Sequence, residues 1–360
     1  ITDWVELYNP SAVPVSLAGY SLSDDPTAPG RWVFPTGSSI APGGFVLVRC
    51  DPATLATTTN GPVLNTGFGL NSAGDEICLF TPGGALFDSI AFGPQAADFA
   101  LGHSPDGSLA WELTLPTPGS ANIGAALGDV NSVRINEWAA SVANGPDWFE
   151  LYNPNAQPVA LGGLYLTDAL ANRTKHPIAP LSFLGVNTNG WCKFIADGNT
   201  AQGANHVNFS LNGSVGEALG LFPPGTTAAI DTVTFGVQTN DISEGRFPDG
   251  TAGRAFFTKP SPGDANWLYL TNVVINEVLT HTDLPLEDAV ELHNRSGQPV
   301  DVSGWFLSDD LINLRKFRIP NGTIIPAGGY QVFYEYEINP LPGFAASFSC
   351  ASRRVPMKRA

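Results

Sequence analysis

Carboxylates are the side chains of this 360-residue sequence that recur in a pattern fit for chemistry. Asp3 and Glu6 stand three residues apart, and the pair returns as Asp147 with Glu150 and as Asp288 with Glu291. Two carboxylates perform acid–base work, as in glycoside hydrolysis, when both open into one cleft. On an extended strand this spacing sends them to opposite faces, which opposes that use. The expected role is structural: the glutamate meets backbone or a neighbouring strand, and the aspartate closes the preceding turn. A second set comprises Asp24-Asp25, Asp168 and Asp309-Asp310. It offers the oxygen ligands that calcium takes, but no EF-hand or Gly-Gly-x-Gly-x-Asp spacing accompanies it. Turn or cap use is expected, and calcium is the one cofactor left open.

The other chemistry-bearing residues are scattered. His103, His176, His206, His281 and His293 fall at unrelated positions, with no His-x-x-x-His or Cys-x-x-Cys spacing for zinc. Cys50, Cys78, Cys192 and Cys350 match no metal motif, and a Cys50–Cys78 disulfide within one domain stays open. Gly-x-Ser-x-Gly is absent. No catalytic, cofactor-binding or metal residue is assigned, and the expectation is a protein without catalysis.

The elements that position the carboxylates form a long repeat. Asp147-Trp148-Phe149-Glu150-Leu151-Tyr152-Asn153-Pro154 has a first copy at Asp3–Pro10 and a weaker third at Asp288–Asn294. From Glu6 to Glu150 is 144 residues and from Glu150 to Glu291 is 141, a domain-sized period. Alternation assigns the faces: Val5, Leu7, Phe149, Leu151, Val290 and Leu292 point to a core, while Trp4, Glu6, Tyr8 and their counterparts point outward or towards a neighbouring strand. The outward aromatics Trp4, Trp148 and Tyr152 are then candidates for a contact surface, set against simple cross-strand packing. Gly19, Gly163 and Gly304 each precede the next strand, where a turn calls for glycine.

Composition agrees with short strands and tight turns: 39 Gly, 30 Pro, 43% hydrophobic and 14% charged residues, with no long helical period. The expected fold is all-β, tandem immunoglobulin-like β-sandwiches of seven or eight strands. Domain 1 covers 1–122 with its first strand missing, domain 2 covers 133–266, and domain 3 covers 273–349 and is truncated. Linkers fall near 123–132 and 267–272, and their shortness suggests a semi-rigid rod. Residues 350–360 form an aberrant basic tail of the kind a frameshift leaves, and the chain reads as a fragment of something longer. A net charge of −16 opposes nucleic acid and anionic membranes as partners.

Together, Ile135-Asn136-Glu137 and Ile275-Asn276-Glu277, the octapeptide, the Leu-x-Gly-Tyr/Trp-x-Leu-Ser-Asp segment and Pro-x-Gly-Gly-Tyr/Phe resemble the lamin-tail domain. Units in tandem without a coiled-coil rod look like the bacterial form of that family. The resemblance implies non-catalytic modules of a secreted or cell-surface protein, serving as spacer or adhesion region and binding a protein or polysaccharide. The alternative it implies is an accessory region of a secreted hydrolase or spore-coat-kinase-like enzyme whose catalytic domain lies elsewhere.

Overall fold

The computed structural model describes residues 2–268, 272–280, 287–310 and 313–338. The tail at 350–360 and the end of the third repeat lie outside the described residues. The chain divides into two compact units, 1–268 and 269–360. Among the described residues, helix is confined to Glu335–Ile338 and three single 3-10 turns, and the rest of the regular structure is strand.

In the first repeat β1 (Asp3–Tyr8) pairs antiparallel with β2 (Phe45–Cys50), with Asp3 opposite Cys50 and Tyr8 opposite Phe45. The facing sheet holds Trp32–Val33, Ser21–Ser23, β3 (Asp75–Phe80) and β4 (Leu86–Phe92) in that order. A hairpin of β5 (Ala100–His103) and β6 (Trp111–Leu115) follows. The second repeat supplies β7 (Arg134–Ala139), β8 (Asp147–Tyr152), β9 (Trp191–Ala196), β10 (Glu217–Phe222), β11 (Asp231–Phe235), β12 (Ser243–Arg246) and β13 (Arg254–Phe257). Its main sheet runs β9-β8-β7-β12-β13, so β7 joins the octapeptide strand to the closing hairpin. In the other unit β14 (Val273–Leu279), β15 (Ala289–Asn294) and β16 (Tyr330–Tyr334) form the equivalent sheet.

The alternation expected of the octapeptide holds on its apolar side. Phe149 and Leu151 are fully buried, and Phe149 stacks between Phe194 and Phe209 at 5.7 and 6.1 Å. Val5 and Leu7 pack on the first core, and Val290 and Leu292 belong to the third. Each strand ends on a buried asparagine whose amide holds the loop beyond it. Asn9 donates to Val13 O, Asn153 to Gln157 O and Asn294 to Gln298 O, at 2.7 to 2.9 Å. Gly19, Gly163 and Gly304 sit at φ of 83°, 82° and 77°, a turn conformation that a Cβ resists.

One expectation changes. The stretch 123–132 is not a free linker: Ile123–Gly124 pairs with β6, and Val130–Ser132 forms a 3-10 turn capped by Asp129. The first two repeats share one compact unit. Ala96 and Leu113 of the first repeat bury with Phe183 of the second, and Phe99, Leu101, Ala160 and Leu181 pack around them. Backbone bonds cross the junction, Phe183 N–H to Pro94 O at 2.7 Å and Gly93 N–H to Pro180 O at 3.2 Å. Apolar loop residues on both sides leave water together there, and that association holds the junction closed.

The approach is close enough that a Cβ on Gly93 would fall 2.0 Å from Ser182 Oγ. Gly93→Ala is therefore expected to open the junction at a cost of about 1–3 kcal/mol, typical of overpacking. Small-angle scattering of the variant should give a larger radius of gyration and thermolysin, which cuts before leucine, should cleave faster at the exposed Leu127; unchanged values for both would refute it.

Candidate functional site

The repeated glutamate is built into a polar clamp, seen in full in the second repeat. Strict alternation along β7 would put Ile135 and Glu137 on one face. The register instead slips between them: Ile135 lies opposite Leu151 and Glu137 opposite Glu150, so Asn136 is the extra residue of a β-bulge. The bulge switches parity, which sends Trp138 into the core against Phe235 and turns Glu137 to the side of Glu150. The same slip occurs at Asn276, where Glu277 lies opposite Glu291. Sequence parity alone had no means of locating this bulge.

Both glutamates of the second repeat are fully buried, contrary to the outward position expected for Glu150. The reason is the hairpin β12–β13 and the segment after it, which cover that face. Glu150 Oε1 accepts Asn136 Nδ2 at 3.0 Å and Oε2 accepts the Gly263 N–H at 2.8 Å. Glu137 accepts the Ser243 hydroxyl, and the Ser261 N–H and hydroxyl at 3.2 Å. Asp249 accepts a second proton of Asn136 Nδ2 at 3.0 Å and the Asn266 N–H at 3.0 Å. Glu6 repeats the contact with Gly119 N–H at 2.6 Å, and Glu291 repeats that with Asn276 Nδ2 at 2.7 Å. The chemistry of this arrangement is to fasten the end of the first and second repeats to their octapeptide strands.

Burial pushes the Glu150 carboxyl well above the usual carboxylate range, and the neighbouring Glu137 adds to it. Burial likewise raises Glu137, against the hydrogen bonds of Ser243 and Ser261. Lys193, cross-strand from Glu150, is lowered by burial while the two glutamates pull it back up.

Of the aromatic candidates, Trp148 and Tyr152 are cross-strand packing residues, and Trp4 is half-buried. Trp148 is only 5% exposed, with Lys193 Nζ 5.3 Å over its ring, because the β9 side chains cover it. Tyr8 stacks on its register partner Phe45 at 5.0 Å, Tyr152 lies on Trp191 at 5.2 Å and His293 stacks on Tyr330 at 4.2 Å. The second carboxylate set is met by cations. Asp24 pairs with Arg31, Asp168 with Lys175 Nζ at 2.5 and 2.7 Å, and Asp309 with Lys316 Nζ at 2.7 Å, each cation seven residues on. Asp25 closes its turn on the N–H and hydroxyl of Thr27. Cys50, Cys78 and Cys192 are free thiols, and burial pushes them up to about 11, 11 and 12.

Sequence inspection missed an open cleft of about 720 Å³ at the loop end of the second repeat. Ser141, Asn212, Ser214, Glu217, Gln238 and Asn240 line it. Gln238 Oε1 accepts the Ala140 N–H at 2.6 Å, which orients the amide and leaves buried Nε2 without an acceptor. Ser141 Oγ donates to Asn240 Oδ1 at 2.5 Å, and Ser214 Oγ to Asn212 Oδ1 at 2.8 Å. Its residues come from four separate segments, so no single motif announces it.

The bulged strand and the carboxylate clamp thus stand beside the repeated octapeptide. The lamin tail domain model matches residues 2–94 and 270–353. Those two segments are lamin tail domains. The second repeat lies between the matched segments and, among the described residues, carries the five-stranded sheet. No curated protein and no solved structure matches the chain.

The raised glutamates set a pH dependence for this lamin-tail clamp. Folded Glu150 holds its proton to higher pH than the unfolded chain does, so the folded state binds more protons above 4.5. Stability is full below that value and is lost as pH climbs toward and through the raised folded value. Urea unfolding between about pH 5 and 8 should show falling stability, with a shallower fall in Glu150→Gln. Equal slopes for the two proteins would count against a titrating Glu150.

Proposed function

We propose that the chain is a non-catalytic interaction and spacer array of a bacterial secreted or cell-surface protein, with its contact surface at the loop-end cleft of the second repeat. One observation carries this: the cleft gathers amides and hydroxyls on a rigid sandwich, and the Gln238 amide there has a donor without an acceptor. Such groups suit an uncharged, hydrogen-bonding ligand, whether sugar hydroxyls or peptide amides. The carboxylates that sequence inspection weighed for acid–base work support the non-catalytic part, since burial and hydrogen bonds commit Glu137 and Glu150 to holding the fold. A net charge of −16 supports an uncharged or cationic partner over nucleic acid. Family membership supports an immunoglobulin-like module, and no helix among the described residues is long and apolar enough to cross a membrane.

The full chain should be retained on an array of neutral oligosaccharides and random peptides. Asn240→Ala, at the exposed cleft rim, should weaken the retained ligand about tenfold, the usual loss for a polar contact in a binding site. Retention that is absent for every probe, or unaltered in Asn240→Ala, would reject the cleft as the contact surface.

A further inference from the structure

The junction of the first two repeats shows what the loop end of a repeat can hold. Gln95 stands in the first repeat where Gln238 stands in the second, after Gly93-Pro94 and Gly236-Val237. Each sends its backbone N–H to the residue that follows a repeated Leu-Asn, Ser72 O at 2.8 Å and Gly213 O at 2.9 Å. In the first repeat the loop 179–184 covers this end. Gln95 Nε2 donates to Leu181 O at 2.6 Å, and Leu181 presents that carbonyl from a left-handed φ of 53°. Gly93 N–H donates to Pro180 O at 3.2 Å, and Pro94 O accepts the Phe183 N–H at 2.7 Å. Phe183 then buries with Leu113.

The second repeat carries the same surface uncovered. Gln238 Nε2 is buried and has no acceptor. Pro94 is buried, whereas Val237 is 70% exposed. Leu113 of β6 lies opposite Leu101 and is 2% exposed; Phe256, at the same register position of β13 opposite Glu244, is 62% exposed. Gly236 is a separate observation. A Cβ on Gly93 would strike Ser182 Oγ at 2.0 Å, while one on Gly236 would meet nothing within 4 Å. The φ of Gly236 is not left-handed either, so among the described residues neither backbone nor neighbour calls for glycine there. The clearance that Gly93 gives Ser182 is kept at Gly236 for a group of the same kind.

We propose that the loop-end cleft of the second repeat binds polypeptide, a turn of the 179–184 pattern from a separate chain. This rests on the cleft being the contact surface. The left-handed residue of the turn gives its carbonyl to Gln238 Nε2, and the small residue after it lies over Gly236. The apolar residue that follows gives its N–H to Val237 O and covers Val237 and Phe256. Main-chain bonds supply the affinity and the apolar side chain the specificity, the division of roles usual in backbone recognition. The loop 179–184 of this chain is already engaged by Gln95 and Leu113, in a second copy as in the first, which leaves a separate polypeptide as the source.

The test is titration of the full chain with a cyclised peptide of residues 177–185. Saturable one-to-one binding is expected, and the ring carrying Phe183→Ala should bind about tenfold more weakly, the loss of an aromatic anchor. In the chain, Gln238→Glu keeps an oxygen for the Ala140 N–H and removes the Nε2 donor. Its circular dichroism should be unaltered while peptide affinity falls about tenfold. No binding, equal binding of a scrambled ring, or undiminished binding to Gln238→Glu would each overturn the proposal. A neutral oligosaccharide retained by the chain and lost in Asn240→Ala, with no peptide bound, would overturn the polypeptide class and leave the cleft as the contact surface; retention of nothing would remove both. Sedimentation should show a monomer without peptide, and a dimer dispersed by the peptide would overturn the separate source in favour of a second copy.

Discussion

A carboxylate without exposure is the constraint on which this fold turns. Removing Glu150 from water is costly unless its lone pairs are filled, and the second repeat fills them with the Asn136 amide and the Gly263 N–H. Each requirement shapes a different part of the chain. The amide must come from a strand that bulges, since only the extra residue at Asn136 brings Glu137 and the amide to the side of Glu150. The N–H must come from a turn at the far end of the repeat, which draws the closing hairpin over the sheet. Gly245 follows from the same closure: a Cβ there would lie 2.6 Å from Asn136 O.

Other repeated features are satisfied locally. An aspartate and a cation seven residues apart meet across a short hairpin in all three repeats, and such partly exposed pairs contribute modestly, roughly 0–1 kcal/mol. The stacked pairs Tyr8–Phe45, Tyr152–Trp191 and His293–Tyr330 occupy one register position and tie the octapeptide strand to its neighbour. Residues spent in this way are unfree for ligands. The cleft around Gln238 differs because the buried Gln238 Nε2 there has no acceptor, which separates a surface able to bind from one already bound to itself.

The junction of the first two repeats shows how such modules become one body. Neither loop face is strongly apolar by itself, but Leu113, Ala96 and Phe183 bury together, and two backbone hydrogen bonds fix their relative position. The small residue Gly93 permits the contact. Tandem spacing alone therefore does not decide between beads on a string and a rigid pair.

Strand character, strand ends and the core side of the octapeptide were legible in the sequence, because they depend on neighbours within a few residues: Phe149 and Leu151 alternate inward, and Asn153-Pro154 stops the ladder. So was the domain-sized repeat. The spacing of Asp24, Asp168 and Asp309 from a cation seven residues on is likewise local, since each pair closes across a short hairpin. The bulge at Asn136 was not legible, since an alternating pattern reads the same with or without one extra residue. Nor was the burial of Glu150 and Trp148, or the cleft around Gln238. Those depend on partners brought from far along the chain, 113 residues in the case of Glu150 and Gly263 and 124 in that of Glu137 and Ser261. The sequence by itself determined which segments are strands and which face seeks a core, for these are local preferences of the backbone and of apolar side chains. Only the tertiary structure decided which outward groups become interior, because burial belongs to whatever is folded on top of them.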